Sequence, residues 1–182
     1  MKKLMFLVGA IGLVFNLSAQ KIFTKKGIVK FTASSSAEPI AGKTNTAASV
    51  LDKTSGNLEF SLLVKSMKFE KALMEEHFNE NYMESVKFPK AIFKGKITNL
   101  SDINWTKDGK YSAKISGDLT IHGVTKSIST TADLVIKSGK VDADAKFNIQ
   151  VADYKIEIPS LVKDKIAKTA NIEVIASYEN LK

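Results

Sequence analysis

The sequence predicts an all-β fold, an antiparallel barrel of about eight strands with one α-helix inserted between two of them. From residue 28 onward most of the chain alternates between apolar and polar side chains, which is the pattern of a half-buried strand. Turn signals separate the alternating segments at residues 107–110, 122–123 and 138–139, so the strands follow one another as hairpins. About eight short strands joined in this way are typical of an antiparallel meander closed into a barrel.

The strands can be placed in chain order. Leu58, Phe60 and Leu62, for example, interleave with the polar residues Glu59 and Ser61. Two weaker strands come before this one, and the full predicted set covers residues 27–34, 43–51, 58–64, 91–97, 111–121, 128–136, 141–151 and 170–178. The chain contains no internal repeat, linker or low-complexity segment, so a single domain is predicted.

One segment departs from this period. Between Lys68 and Ser85, Phe69, Leu73 and His77 recur at a spacing of four in a run without Gly or Pro, which predicts a helix. Pro89 then marks the return to extended chain. A second irregular stretch, residues 159–168, separates the last two strands and has room for one helical turn.

The N-terminus has the pattern of an export signal. Lys2 and Lys3 precede an apolar run at residues 4–15, and Ala19 is a small residue suited to cleavage before Gln20. The run is shorter than the ~20 residues that cross a bilayer, which disfavours a retained membrane anchor. We therefore predict a signal peptide at residues 1–19, a single mature domain at residues 20–182, and a periplasmic or secreted location.

The composition excludes several function classes. All 27 basic residues are lysine and there is no cysteine, so disulfides, thiolate nucleophiles and cysteine zinc sites are excluded. The net charge of +8 does not indicate nucleic acid binding, because the planar arginine fork is absent and the lysines alternate singly along the strands. This pattern favours a role in solubility, with transient attraction to an anionic membrane surface as the alternative.

The inward face of the predicted barrel is rich in small residues. An eight-stranded barrel has room either for large side chains or for one small ligand, so small inward residues favour a cavity. The alternative is a core filled by Phe60, Phe93, Phe147 and the apolar residues of the helix. The small residues are Gly95, Ala113, Gly117, Ala132, Ala143, Ala145, Ala170 and Ala176.

Three segments carry a likeness to a known family. They are His77-Phe78 with Tyr82-Met83, residues 87–93 (KFPKAIF), and above all residues 117–126 (GDLTIHGVTK). In these the chain resembles the YceI-like family of exported proteins over residues 28–178. The resemblance implies a lipocalin-like, extended antiparallel barrel whose apolar pore holds a long polyisoprenoid or a similar lipid.

Elementary energetics agrees with a lipid ligand, since each methylene moved from water into a dry pocket contributes about 0.8 kcal/mol. We predict carriage, storage or sequestration of a polyisoprenoid or related long-chain lipid, without cofactor, metal or nucleic acid. Whether the barrel forms a homodimer is open. The predicted ligand contacts are the inward apolar residues nearest the helix and the family motif: Phe60, Leu62, Val64, Met67, Phe69, Met74, Phe78, Met83, Phe88, Phe93, Leu119, Ile121 and Phe147.

The two histidines offer little for catalysis. His77 lies near Glu76 and Glu80, but the spacing of a zinc site is missing and a solvated acidic helix face is the simpler interpretation. His122 falls on the polar face beside a turn glycine and is predicted to face solvent or to cap the turn. The chain has no GxSxG or GxGxxG motif. The alternative to a carrier is an enzyme that uses one of these histidines on a lipid or isoprenoid-quinone headgroup at the pore mouth.

Alternation alone also fits an outer-membrane barrel, whose apolar face would point outward. The abundance of Ala and Gly on that face and the absence of aromatic girdles disfavour this alternative.

Overall fold

Within the residues that the structure describes, nine antiparallel strands form a single sheet, and because the first strand pairs with both the second and the last, the sheet closes into a barrel. The computed structural model describes residues 20–33, 40–158 and 167–180. Eight long strands build the wall, each paired with the next, and the two-residue β4 pairs only with β2. The strands are β1 Lys21–Ala33, β2 Ile40–Asp52, β3 Asn57–Leu63, β4 Lys68–Phe69, β5 Lys90–Ile97, β6 Gly109–Ile121, β7 Val124–Lys137, β8 Lys140–Gln150 and β9 Thr169–Asn180.

The predicted eight-stranded antiparallel barrel with an inserted helix is confirmed. The predicted signal peptide, residues 1–19, and most of the irregular stretch 159–168 lie outside the described residues.

The first strand begins earlier than its sequence pattern indicates. Register shifts between Thr24 and Gly27 and between Gly27 and Val29 mark β-bulges, where an extra residue enters one strand. As a result, Lys25 and Lys26 are both exposed although they are adjacent. Because the bulges interrupt the two-residue alternation, the sequence pattern did not predict the first half of β1.

The predicted helix over residues 68–85 is too long. α1 covers only Ala72–His77, and one wider π turn follows over Phe78–Tyr82. Lys68 and Phe69 instead form β4, where a Cβ on Gly42 of β2 would come within 2.7 Å of the Phe69 ring. Phe69, Leu73 and His77, which recur at a spacing of four, therefore do not form one face of a helix. Leu73 is 60% exposed.

The two ends of the barrel differ in how they are filled. At the end that holds the β7–β8 turn, here called the packed end, large apolar side chains meet in a continuous core that includes Ile22, Leu51, Ile97, Leu134 and Ile136. Ile103 and Trp105, from the segment between β5 and β6, join this core. The opposite end, here called the open end, carries α1 and the β6–β7 turn.

Polar side chains cover the outside of the wall. Glu173 on β9 pairs with Lys30 on β1 at 2.6 Å and with Lys146 on β8 at 3.1 Å. Hydrogen bonds from Lys30 and then from Lys146 hold the pKa of the Glu173 carboxyl below its usual value. The buried apolar residues of the strands face the barrel interior. In residues 20–33, 40–158 and 167–180 no helix has the length and apolar character needed to cross a membrane.

Candidate functional site

The barrel interior contains a cavity with two lobes. The outer lobe, at the open end, has a volume of about 230 Å³. The inner lobe, deeper in the barrel, has a volume of about 160 Å³. Together they fall in the range of about 300–1000 Å³ that is usual for small-molecule pockets.

The lobes adjoin at a ring of side chains that line both of them, here called the waist. Its members come from five different strands and are all apolar: Val29, Leu62, Ala91, Ile121 and Ile172. Since the two lobes share these walls, they lie next to each other along the barrel, in line from the open end toward the packed end, and the pair is called the channel here.

Aromatic rings and methionines surround the outer lobe. The Phe69 and Phe78 ring centroids are 4.8 Å apart, and Phe31 lies 5.8 Å from Phe78. Met67, Met74 and Met83 line the same lobe. Met side chains adapt readily to irregular shapes, so this wall suits an apolar chain of variable conformation.

Alanines on neighbouring strands make the space for the inner lobe. Ala132, Ala143, Ala145 and Ala176 line it on β7, β8 and β9. Phe60, Phe93 and Phe147 complete its wall without filling it. Here the small inward residues produce a cavity, as one of the two sequence interpretations predicted.

Two of the predicted small residues have a different effect. Gly95 and Gly117 lie directly opposite each other on β5 and β6, and a Cβ on Gly117 would overlap the Cα of Gly95. It would also come within 2.8 Å of Cζ of Phe93, whose ring covers the pair. These glycines allow the backbones of β5 and β6 to approach closely, and they do not create space for a cavity. Ala113 is fully buried in the core of the packed end, where the filled-core interpretation applies.

Of the thirteen predicted ligand contacts, twelve line the channel. Phe88 does not, and packs instead edge-on against His122, with 4.5 Å between the ring centroids. That these twelve residues contact a ligand remains a prediction. The structure adds lining residues that were not predicted, among them Phe31, Tyr82, Ile156 and Ile158. Phe31 follows the inward alternation of β1 and could have been found, whereas Ile156 and Ile158 follow an irregular turn.

His122 lies in the turn, in line with one of its two predicted roles, but it does not face solvent. It forms the β6–β7 turn with Gly123, with φ angles of 51° and 73°, and its side chain is only 10% exposed. Nε2 lies 2.8 Å from Oε2 of Glu84, and Nδ1 lies 3.2 Å from the carbonyl oxygen of Tyr154. Carboxylate and carbonyl oxygens only accept, so each contact is a hydrogen bond when the ring nitrogen that faces the oxygen carries a hydrogen.

The His122 ring therefore ties three segments together at the open end. It joins the β6–β7 turn to the end of the helical insert at Glu84 and to the segment that follows β8 at Tyr154. Glu84 and Lys155 have φ angles of 41° and 54°, so both attached segments turn sharply at this point.

Replacing His122 with asparagine tests this connection. Asn tolerates a positive φ, so the substitution removes the ring contacts while keeping the turn. We expect the free energy of unfolding to fall by about 2 kcal/mol, because two partly buried hydrogen bonds of the ring are lost. Chemical denaturation measures the change. The matched control is His77→Asn, whose ring has no hydrogen bond to any residue that the structure describes, and an equal loss in both variants would contradict the assignment.

Comparison with known proteins agrees with the architecture. The family model of the YceI-like domain matches residues 20–177. A polyisoprenoid binding domain from Saccharophagus degradans, implicated in plant cell wall breakdown, superposes with a TM-score of 0.78 at 15% identity, covering 90% of this chain and 99% of that domain. BcnA from Burkholderia cenocepacia gives a TM-score of 0.71 at 14% identity, covering 85% of this chain and 96% of its own. No curated protein has a matching sequence.

Proposed function

Because the chain belongs to the family of YceI-like domains, we propose that it binds a long-chain apolar lipid of the polyisoprenoid type inside its barrel. The observation that carries this proposal is the pair of adjoining apolar lobes, whose described lining includes no Asp, Glu or Lys. An apolar chain gains about 0.8 kcal/mol for each methylene it buries there. The similar domain from Saccharophagus degradans is a polyisoprenoid binding domain, which supports the same ligand class.

The proposed role is carriage, storage or sequestration in the cell envelope. The sequence pattern of residues 1–19 supports export, and the family match begins at residue 20, next to the predicted cleavage site. A channel that encloses an apolar chain shields it from water, which is what the transfer of such a lipid through an aqueous compartment requires.

Transient contact with a membrane surface is part of the proposal. Leu63 and Val86 are 54% and 85% exposed. Lys90 pairs with Leu63 across the sheet, and Lys87 follows Val86 in the chain. Exposed apolar side chains beside lysines suit a headgroup surface that carries negative charge.

No observation favours the enzymatic alternative. His122 is hydrogen-bonded outside the channel and lines neither lobe. His77 lines the outer lobe, but no side chain in the described ranges orients it as a general base would be oriented. We therefore propose binding without chemistry.

Mass spectrometry of organic extracts from the purified protein tests the function. We expect a reproducible long-chain apolar lipid near one equivalent when the protein is expressed with its own N-terminal segment. Protein refolded from denaturant in lipid-free buffer is the empty control, and it should take up an added C20 isoprenoid alcohol. Extracts without lipid, combined with a refolded protein that takes up no isoprenoid, would contradict the proposal.

A further inference from the structure

Two polar side chains line the channel at its open end, here called the mouth. His77 and Tyr82 both line the outer lobe, with His77 exposed and Tyr82 half-buried. Burial raises the pKa of the Tyr82 phenol, so its hydroxyl stays protonated and able to donate. Neither side chain has a hydrogen bond to any residue within the described ranges, so both are available to a ligand.

The π turn brings these two residues onto one face. The backbone N–H of Met83 donates to the carbonyl of Phe78 at 2.9 Å, which closes a turn wider than that of an α-helix. In an α-helix a residue five positions on would point to a different side, because the period is 3.6 residues. In the wider turn, the side chain of Tyr82 lies on the same side as that of His77, and both line the outer lobe. Such turns occur frequently at functional sites.

The inner lobe offers a ligand no comparable group. Its polar lining residues are Thr130 and Tyr178, and both are already engaged. The Tyr178 hydroxyl lies 2.8 Å from Oγ of Ser49, which in turn donates to the carbonyl of Glu59. Thr130 donates to the carbonyl of Lys146 at 3.3 Å. Among the described lining residues, polar side chains without a hydrogen-bond partner therefore occur only at the mouth. A ligand is expected to place its polar head there and its apolar tail in the inner lobe.

The charges near the mouth restrict the head that it can take. No Lys, Asp or Glu lines either lobe in the part of the chain that the structure describes. The segment around His77 carries the carboxylates of Glu75, Glu76 and Glu80 and the ammonium groups of Lys68 and Lys71. Lys68 pairs with Glu75 at 2.6 Å, whereas Glu76 and Glu80 are exposed. An anionic head seated there would be partly desolvated beside carboxylates, which is unfavourable.

We propose that His77 and Tyr82 form a head-group site for an uncharged oxygen, the hydroxyl or carbonyl of a long-chain lipid whose tail extends past the waist into the inner lobe. This inference rests on the proposed function and narrows its ligand class. Tyr82 donates to the oxygen, and His77 supplies a second hydrogen-bonding group at the solvent side. Lipids that end in a diphosphate or a carboxylate are disfavoured.

Titration of refolded, lipid-free protein with four C20 isoprenoids of equal chain length tests the site. The probes are the alcohol, the methyl ketone, the diphosphate and the parent hydrocarbon, and the variants are Tyr82→Phe, His77→Leu and the exposed helix control Glu76→Gln. We expect the wild type to bind the alcohol, the ketone or both more tightly than the diphosphate and the hydrocarbon. Tyr82→Phe should weaken the preferred probe about three- to tenfold, the range for one hydrogen bond, and leave the hydrocarbon unchanged.

The outcomes separate the two proposals. Equal affinity for all four probes, unaffected by the variants, would overturn the head-group site while leaving the lipid channel intact. Tightest binding of the diphosphate would overturn the preference for an uncharged head. Failure of every probe to bind would contradict the proposed function and the head-group site with it. An equal loss in Glu76→Gln and Tyr82→Phe would show a general effect of the insert and would also overturn the site.

Discussion

Replacing Ala91 with tryptophan is expected to weaken the binding of a long-chain lipid about a hundredfold while the barrel stays folded. Ala91 lies at the waist and lines both lobes, so an indole there divides the channel. If the tail loses about four buried methylenes at about 0.8 kcal/mol each, affinity falls by about two orders of magnitude. The new side chain enters existing space, so little overpacking is expected.

Lys94→Trp is the matched control for this prediction. Lys94 lies on the same strand, β5, but is exposed on its outer face, so the indole cannot enter the channel. Binding is measured by titration with the C20 isoprenoid alcohol, and folding by thermal denaturation followed by circular dichroism. If Ala91→Trp binds the alcohol as tightly as Lys94→Trp does, the ligand does not pass the waist.

The second large effect is expected at Gly117. A Cβ at this position would overlap the backbone of Gly95 on the facing strand and crowd the Phe93 ring. Backbone cannot give way as a flexible side chain can, so Gly117→Ala should lower the free energy of unfolding by about 3 kcal/mol or more. Urea denaturation measures this loss.

Gly139→Ala separates crowding from the general cost of replacing a glycine. Gly139 has a φ of 77°, and no atom lies within 4 Å of the position that a Cβ would occupy, so only a left-handed backbone penalty of about 1 kcal/mol is expected. A loss at Gly117 no larger than that at Gly139 would show that β5 and β6 do not approach as closely as the structure places them.

Much of the fold could be predicted because the pattern that specifies each strand lies within a short segment of the sequence. The period of two in β6 to β9, and the turn residues between those strands, specify a meander without reference to distant residues. The prediction was less accurate where the period was interrupted, as at the β1 bulges, or where apolar spacing imitated a helix, as at Phe69. In both places pairing with β2 decides the conformation.

The candidate site was less predictable, because a cavity depends on which side chains meet across the barrel. Small residues look alike in the sequence, yet Ala143 borders empty space while Gly117 lies under the Phe93 ring. His122 alternates with polar neighbours, but Glu84 and Tyr154, brought together from distant positions, bury it. Tyr82 enters the channel only because one turn of the insert is wider than an α-helix.

Local periodicity and composition therefore specify the barrel, the order of its strands and the apolar character of its interior. Which half of the interior is filled, where the channel lies and which polar groups line its mouth depend instead on how the folded chain packs. These features depend on contacts between residues far apart in the chain, and no local pattern encodes how closely two distant strands approach.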